Sequence, residues 1–371
     1  MARSINERFH DFQVAQQVRW IRVQNRDVRE ALAILRELEN NLKNTILNSG
    51  MGEPRFTEAR AAALRLQVSE LIRALESRLT PVLVQNVRDA LEAAAELEAA
   101  AFKRILPAGL DVTTPNLGVL QTAAISSPFN GGTITEWASA FHRTLDETVW
   151  RSIMVGITEG ETTDDMVRRM LGTKSANFKD GELQARRRGL AALVRTSVNH
   201  ATNQGRNEVW KANSNLLRGV QWVATLDTRT TPICRHRDGR VGPVTPDADW
   251  TPPDGRLPLD PPMARPPAHI NCRSTTVAIT KSWRELGFDV DDLPPATRAS
   301  MDGQVPASTT YFEWLNRQSA ATQEEVLGPA RLRLWKEGGI TPDRFQNDEG
   351  HYYTLAELRR RRPQAFRDAD L

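Results

Sequence analysis

The 371-residue chain is poor in cysteine, with only Cys234 and Cys272, and has just three tyrosines. Two cysteines exclude the disulfide-dense scaffolds that let small secreted domains do without a large core. No apolar run approaches the ~20 residues needed to cross a bilayer, so no membrane partner is expected. The opening residues MARSINERFHDFQ lack the apolar stretch of a secretory signal, and folding in a reducing cytoplasm is expected. A Gly-rich Walker loop, a His-Glu-x-x-His and a Cys-x-x-Cys are also missing. Packaging-type ATPase, zinc-protease and nucleobase-deaminase chemistry therefore have no motif to rest on, and no catalytic residue is assigned. A strong excess of one charge is lacking too, since 49 Lys and Arg face 46 Asp and Glu for a net +3.

What is present is enough chain for two or three folded units at roughly 100–200 residues each. Apolar residues make up 40% and charged residues 26%, which excludes wholesale disorder. Residues 12–48 read as one long helix, with Val18, Ile21, Asn25, Val28, Leu32, Leu35, Leu42 and Ile46 on a 3–4 seam that Glu39 interrupts. After the turn-rich residues 48–54, Leu64, Val68, Leu71, Leu75 and Leu79 mark a second helix. Thr80-Pro81 reads as an N-cap followed by proline at the first helical position, which starts a third helix ending at Leu106 before Pro107-Ala108-Gly109.

Residues 1–106 are thus expected to form a helical hairpin or coiled-coil stalk that pairs within one chain or between chains. Residues 107–218 read as a central helical domain. Trp137, Phe141, Leu145, Val149 and Ile153 share one face, a helix start lies at Thr162-Thr163-Asp164-Asp165, and a further helix covers 183–213. Residues 219–280 read as a small β element, with strands at 219–230 and 274–279 flanking nine prolines between Pro243 and Pro267. Residues 281–371 open with the acidic linker 289–292 and read as a helical tail with helices near 309–318, 322–337 and 354–362. The expected fold is mainly α, with a small β element and a Cys/His knot.

The knot is the densest chemical cluster: Cys234-Arg235-His236-Arg237-Asp238 is answered by His269-Ile270-Asn271-Cys272. Thiolate and imidazole suit a tetrahedral structural zinc, which would clip the proline-rich loop closed. Cys234, Asp238, His269 and Cys272 make one ligand set, with His236 as the alternative for Asp238. A metal-free hydrogen-bonded knot is the competing reading. If His236, Asp238 and His269 instead held a catalytic metal, the protein would be a metal-dependent nuclease.

Between residues 185 and 240, eleven Lys and Arg face three acidic residues, a local excess of eight. Arg186, Arg187, Arg188, Arg195, Arg206, Lys211 and Arg218 are the candidate contacts for double-stranded DNA, bound through phosphates without sequence preference. Arg359-Arg360-Arg361-Arg362 forms a second basic run.

Several of these residues stand in a familiar order. Arg195-Thr196, Trp222-Val223-Ala224-Thr225-Leu226-Asp227, Cys234, Asp238-Gly239 and His269-Ile270-Asn271-Cys272-Arg273 follow one another along the chain, and Thr309, Tyr311, Phe312, Trp314 and Gly328-Pro329-Ala330-Arg331 follow later. This combination resembles the Mu-F-like head-morphogenesis family, the minor capsid proteins of tailed phages. The resemblance implies a low-copy virion protein inside the head near the portal vertex, present in the host cytoplasm during assembly. It implies the portal protein as partner, with the major capsid or scaffolding protein as a further one, and roles in head assembly, DNA packaging or DNA delivery. An effector injected with the genome is a further alternative. Many members carry Cys-Pro-x-Cys where this chain has Thr231-Pro232-Ile233-Cys234, and His-Pro-x-Cys-Arg-Cys where it has His269-Ile270-Asn271-Cys272-Arg273-Ser274. A site needing four thiolates would be lost here, whereas the set of Cys234, Asp238, His269 and Cys272 would be complete.

Overall fold

The apolar seams at the start of the chain build two helices, not three. A computed structural model describes residues 5–50, 57–106, 110–282, 284–287, 297–306, 308–347 and 350–371. Helix α1 spans Ile5–Leu47 and α2 spans Glu58–Ile105, running straight through Pro81. An internal proline removes one ladder hydrogen bond and costs about 3 kcal/mol. Leu75, Leu79, Leu83 and Val87 are all buried on one stripe across that position, and their burial outweighs the proline. The expected turns at 51–54 and 107–109 and the acidic linker 289–292 lie outside the described residues.

Contacts gather into two units, each built from segments that are discontinuous in sequence. One comprises residues 20–93 and 117–204, the other residues 1–19, 94–116 and 205–371. The first is helical: parts of α1 and α2, then α3 (Leu117–Ser126), α4 (Ile134–Glu159), α5 (Thr163–Leu171) and the start of α6 (Gln184–Ala212). Thr133 and Glu136 close a capping box at α4, and Thr162 caps α5 where the sequence places a helix start. Leu35, Leu42, Val68, Leu145, Val149, Leu190 and Val198 are buried. Ile21 is 42% exposed and Asn25 is exposed, so neither lies on a buried seam. Polar ties join distant helices: Arg65 grips Asp146 with two hydrogen bonds, and Thr80 meets His142 Nε2 at 3.1 Å.

The second unit holds the β element and the tail. The three-stranded antiparallel sheet has the order β2–β1–β3, with β1 at Leu217–Val223, β2 at Val241–Gly242 and β3 at Thr275–Thr280. Helix α7 (Pro232–Arg237) lies between β1 and β2 in sequence. The first strand stops at Val223 instead of reaching residue 230. Asp227 accepts hydrogen bonds from the Arg229 amide and the Thr230 hydroxyl, and this turn ends the extended run. Every residue of β3 is buried, and Val220 pairs with Ala278 in a core shared with Phe102 and Trp210. A hairpin of β4 (Thr297–Ser300) and β5 (Gly303–Pro306) precedes five short helices. These are α8 (Tyr311–Asn316), α9 (Ala320–Leu327), α10 (Pro329–Lys336), α11 (Leu355–Arg361) and α12 (Pro363–Asp368), packed around Tyr311, Trp314, Leu334, Phe345 and Phe366.

Candidate metal centre

Sheet register creates the site. Trp222 and Val223 at the end of β1 pair with Thr276 and Thr275 at the start of β3. The segments leaving β1 and entering β3 are therefore neighbours, although the cysteines they carry are 38 residues apart. On the outgoing side Thr231 occupies the N-cap position of α7, Pro232 its first turn, and Cys234 follows two residues later. On the incoming side the Cys272 amide donates to the His269 carbonyl at 3.1 Å, closing a turn with Asn271 at φ +60°. Asparagine tolerates that left-handed conformation better than most side chains.

Cys234, His269 and Cys272 each offer one ligand atom, and these atoms all lie within 4.8 Å of one another. The Cys234 and Cys272 sulfurs are 3.7 Å apart, far beyond disulfide length, and both residues are buried free thiols. His269 Nδ1 donates to its neighbour's carbonyl, Ile270 O, at 2.9 Å. Nε2 faces Cys234 Sγ, 3.2 Å away, and Thr231 Oγ1, 2.8 Å away. A hydrogen bond from Cys234 holds the Cys272 thiol well below its ordinary value, aided by His269, and the same bond raises Cys234.

The fourth expected ligand is elsewhere engaged. Asp238 accepts from the Ala224 amide at 2.7 Å through one carboxylate oxygen and from the Tyr311 amide at 2.7 Å through the other. It is a structural staple and does not join the three donors. His236 sits two residues from Cys234 on α7, where side chains do not share a face. Its Cβ lies toward Gly350, at which an added Cβ would come within 3.2 Å of it and 2.9 Å of the Ile233 Cα. The nuclease set of His236, Asp238 and His269 is therefore not brought together. Two residues that the sequence reading treats as lost thiols do converge on the site: Thr231 through its hydroxyl, and Ser274 as a hydrogen-bond partner of Cys234. The signal for them was their position within the two Cys-containing segments.

Around the donors, Arg273 donates to both Asp227 oxygens, and Gln17 of α1 donates to the Arg273 carbonyl at 2.8 Å. Burial alone would raise the Asp227 carboxyl, but the Arg273 hydrogen bonds and charge outweigh it and hold the group below its usual value.

The cations of the basic segment have individual fates. Arg187 pairs with the buried Glu39 carboxylate at 2.8 and 3.0 Å, which explains the acid interrupting the α1 seam. Arg206 is 4% exposed and meets Thr275 and Thr276; desolvation lowers its guanidinium to about 10 against the pull of Glu98. Lys211 pairs with Glu208, and Arg218 with Asp254. Arg186 and Arg195 are half-buried and Arg188 is exposed. Arg235, also counted in the excess, is buried against the Tyr311 ring and donates to Val326 O and Tyr352 Oη at 3.1 Å. Most of the local charge excess is spent on internal contacts.

The helical unit carries a groove of about 520 Å³, floored by Leu32, Leu171 and Phe178 and rimmed by Arg36, Lys43 and Lys179. Phe178 is 47% exposed on a backbone with φ +58°. The loop is pinned by Asp180, which accepts from the Thr173 amide at 2.8 Å, and by Gly181, where a Cβ would lie 2.3 Å from Gly172 N.

No curated protein and no solved structure matches the chain. Residues 144–277, which run from within α4 into β3 and enclose both cysteines, match the family model described as Phage Mu protein F like protein.

Proposed function

We propose that this protein is a minor capsid protein of a tailed phage that binds the portal protein inside the head and assists assembly, packaging or delivery of the genome. The family match over residues 144–277 carries this reading. Its work is binding, and the cationic groove of the helical unit supplies a surface for it. Arg36, Lys43 and Lys179 form no ion pair among the described residues, and they surround an apolar floor with an exposed phenyl ring. An acidic segment of the portal protein with one apolar anchor complements that surface. Duplex DNA is contacted without sequence preference through cations the fold leaves exposed, Arg188 and the run Arg359 to Arg362.

Co-expression of the full chain with the portal protein, followed by capture of either partner, tests the reading. The wild-type chain should retain the portal protein and sediment with heads, and Phe178→Ser with Lys179→Glu should release it while leaving the chain folded. Partition of the protein into infected-cell cytosol instead of heads would overturn the assembly role in favour of an injected effector.

A further inference from the structure

The three converging donors leave a question that Asp238 cannot answer. A tetrahedral zinc needs four ligands, and both Asp238 oxygens are already occupied by backbone amides. We infer that Cys234, His269 and Cys272 form a three-ligand zinc site whose fourth position is open and taken by one exchangeable water-sized ligand, held by the hydroxyl of Thr231.

Three observations carry this. The donor atoms of Cys234, His269 and Cys272 lie within 4.8 Å of one another on two segments fixed by the sheet register, so no rearrangement of the backbone is needed to bring them to one ion. His269 is already oriented as a ligand, because its Nδ1 is tied to the Ile270 carbonyl and its Nε2 faces the thiols. Beside the cluster lies a cavity of about 20 Å³ lined by Thr231, Asn271 and Ser274 along with Cys234 and His269. A single water needs roughly 10–15 Å³ of such space and two to four polar partners. The cavity therefore has room for one small ligand.

Thr231 Oγ1, 2.8 Å from His269 Nε2, stands where it can donate to or accept from that ligand. Two thiolates balance a divalent cation, so the filled site would be neutral and its burial inexpensive. The inference is independent of the portal reading, since each stands if the other fails.

Metal content and cobalt spectroscopy of the full chain test it. The purified protein should carry one zinc per chain. Cys234→Ser, Cys272→Ser and His269→Gln should each weaken binding by at least about tenfold. Asp238→Asn and His236→Gln should leave stoichiometry and the cobalt spectrum unchanged. Azide added to the cobalt-substituted wild-type chain should shift the visible ligand-field bands, and Ser274→Cys, by supplying a third thiolate, should abolish that response and strengthen the sulfur-to-cobalt absorption. Absence of metal from the wild-type chain would overturn the site. A wild-type cobalt spectrum indifferent to azide would overturn the open position, and this reading needs no variant to fold. Loss of the metal in a folded Asp238→Asn protein, verified by circular dichroism, would restore the four-residue set.

Discussion

The Asp238 carboxylate accepts the Tyr311 backbone amide at 2.7 Å and so fastens the end of α7 to the first turn of α8, 73 residues away. Its other oxygen takes the Ala224 amide just beyond β1. One side chain satisfies two buried donors that would otherwise cost about 1–3 kcal/mol each.

Asp238→Asn presents an amide nitrogen to one of those N–H groups and loses an acceptor. The variant is expected to be less stable by about 1–3 kcal/mol in urea unfolding, without loss of the native circular dichroism spectrum.

Arg206 should be the most sensitive position of the basic segment. It is buried beside Glu98, whose Oε1 accepts the Trp210 indole N–H at 2.7 Å. Arg206→Met leaves the Glu98 charge uncompensated and is expected to cost about 3–5 kcal/mol. Adding Glu98→Gln should recover part of that loss, as a double-mutant cycle would measure.

His200 makes stability depend on pH. Its ring stacks on Phe129 with centroids 5.1 Å apart, and desolvation lowers its value to about 4, against a small opposing effect from the Ser127 backbone. The folded state therefore disfavours the charged ring relative to the unfolded chain, whose imidazoles titrate near 6.5. Its contribution is fully present above pH 6.5 and is lost progressively as pH falls toward 4, by at most about 3 kcal/mol. Denaturant midpoints from pH 7 to 4 should show this decline, and His200→Leu should flatten it.

DNA affinity separates the exposed cations from the internal ones. Replacing Arg188, Arg360 and Arg362 with Gln should weaken duplex binding equally across sequences. It should also make the dependence of log K on log salt shallower by about 2–3. Fluorescence anisotropy at several salt concentrations reads both, and an unchanged slope would remove these residues from the interface.

Much of the fold was legible because helical periodicity reports burial directly: α4, α5 with its Thr162 cap, and α6 lie where spacing and capping residues place them. Pro81 was misleading because local propensity favours a break after Thr80, whereas the buried stripe from Leu75 to Val87 is a property of the whole helix. The basic segment misled for a different reason. A sum of charges does not tell Arg188, which faces solvent, from Arg187, whose partner Glu39 is 148 residues away. At the candidate site, Cys234, His269 and Cys272 stand out in the sequence by residue type, and their donor atoms lie within 4.8 Å of one another. That Asp238 serves two amides depends on β1 and α8 meeting around it, which no local pattern encodes.

The division of the chain has a bearing on how the molecule comes into being. Residues 20–93 and 117–204, which make up the helical unit, have all been synthesised once residue 204 is added, so that unit can close early. The first 19 residues belong to the other unit, and Gln17 bonds to the carbonyl of Arg273, 256 positions later. At about 5–20 residues per second, the 256 positions between Gln17 and Arg273 take roughly 13–51 s to synthesise. Throughout that interval the bond from Gln17 to the Arg273 carbonyl cannot form, and a chaperone or an assembly partner has time to reach this part of the polypeptide before the protein's own C-terminal half does.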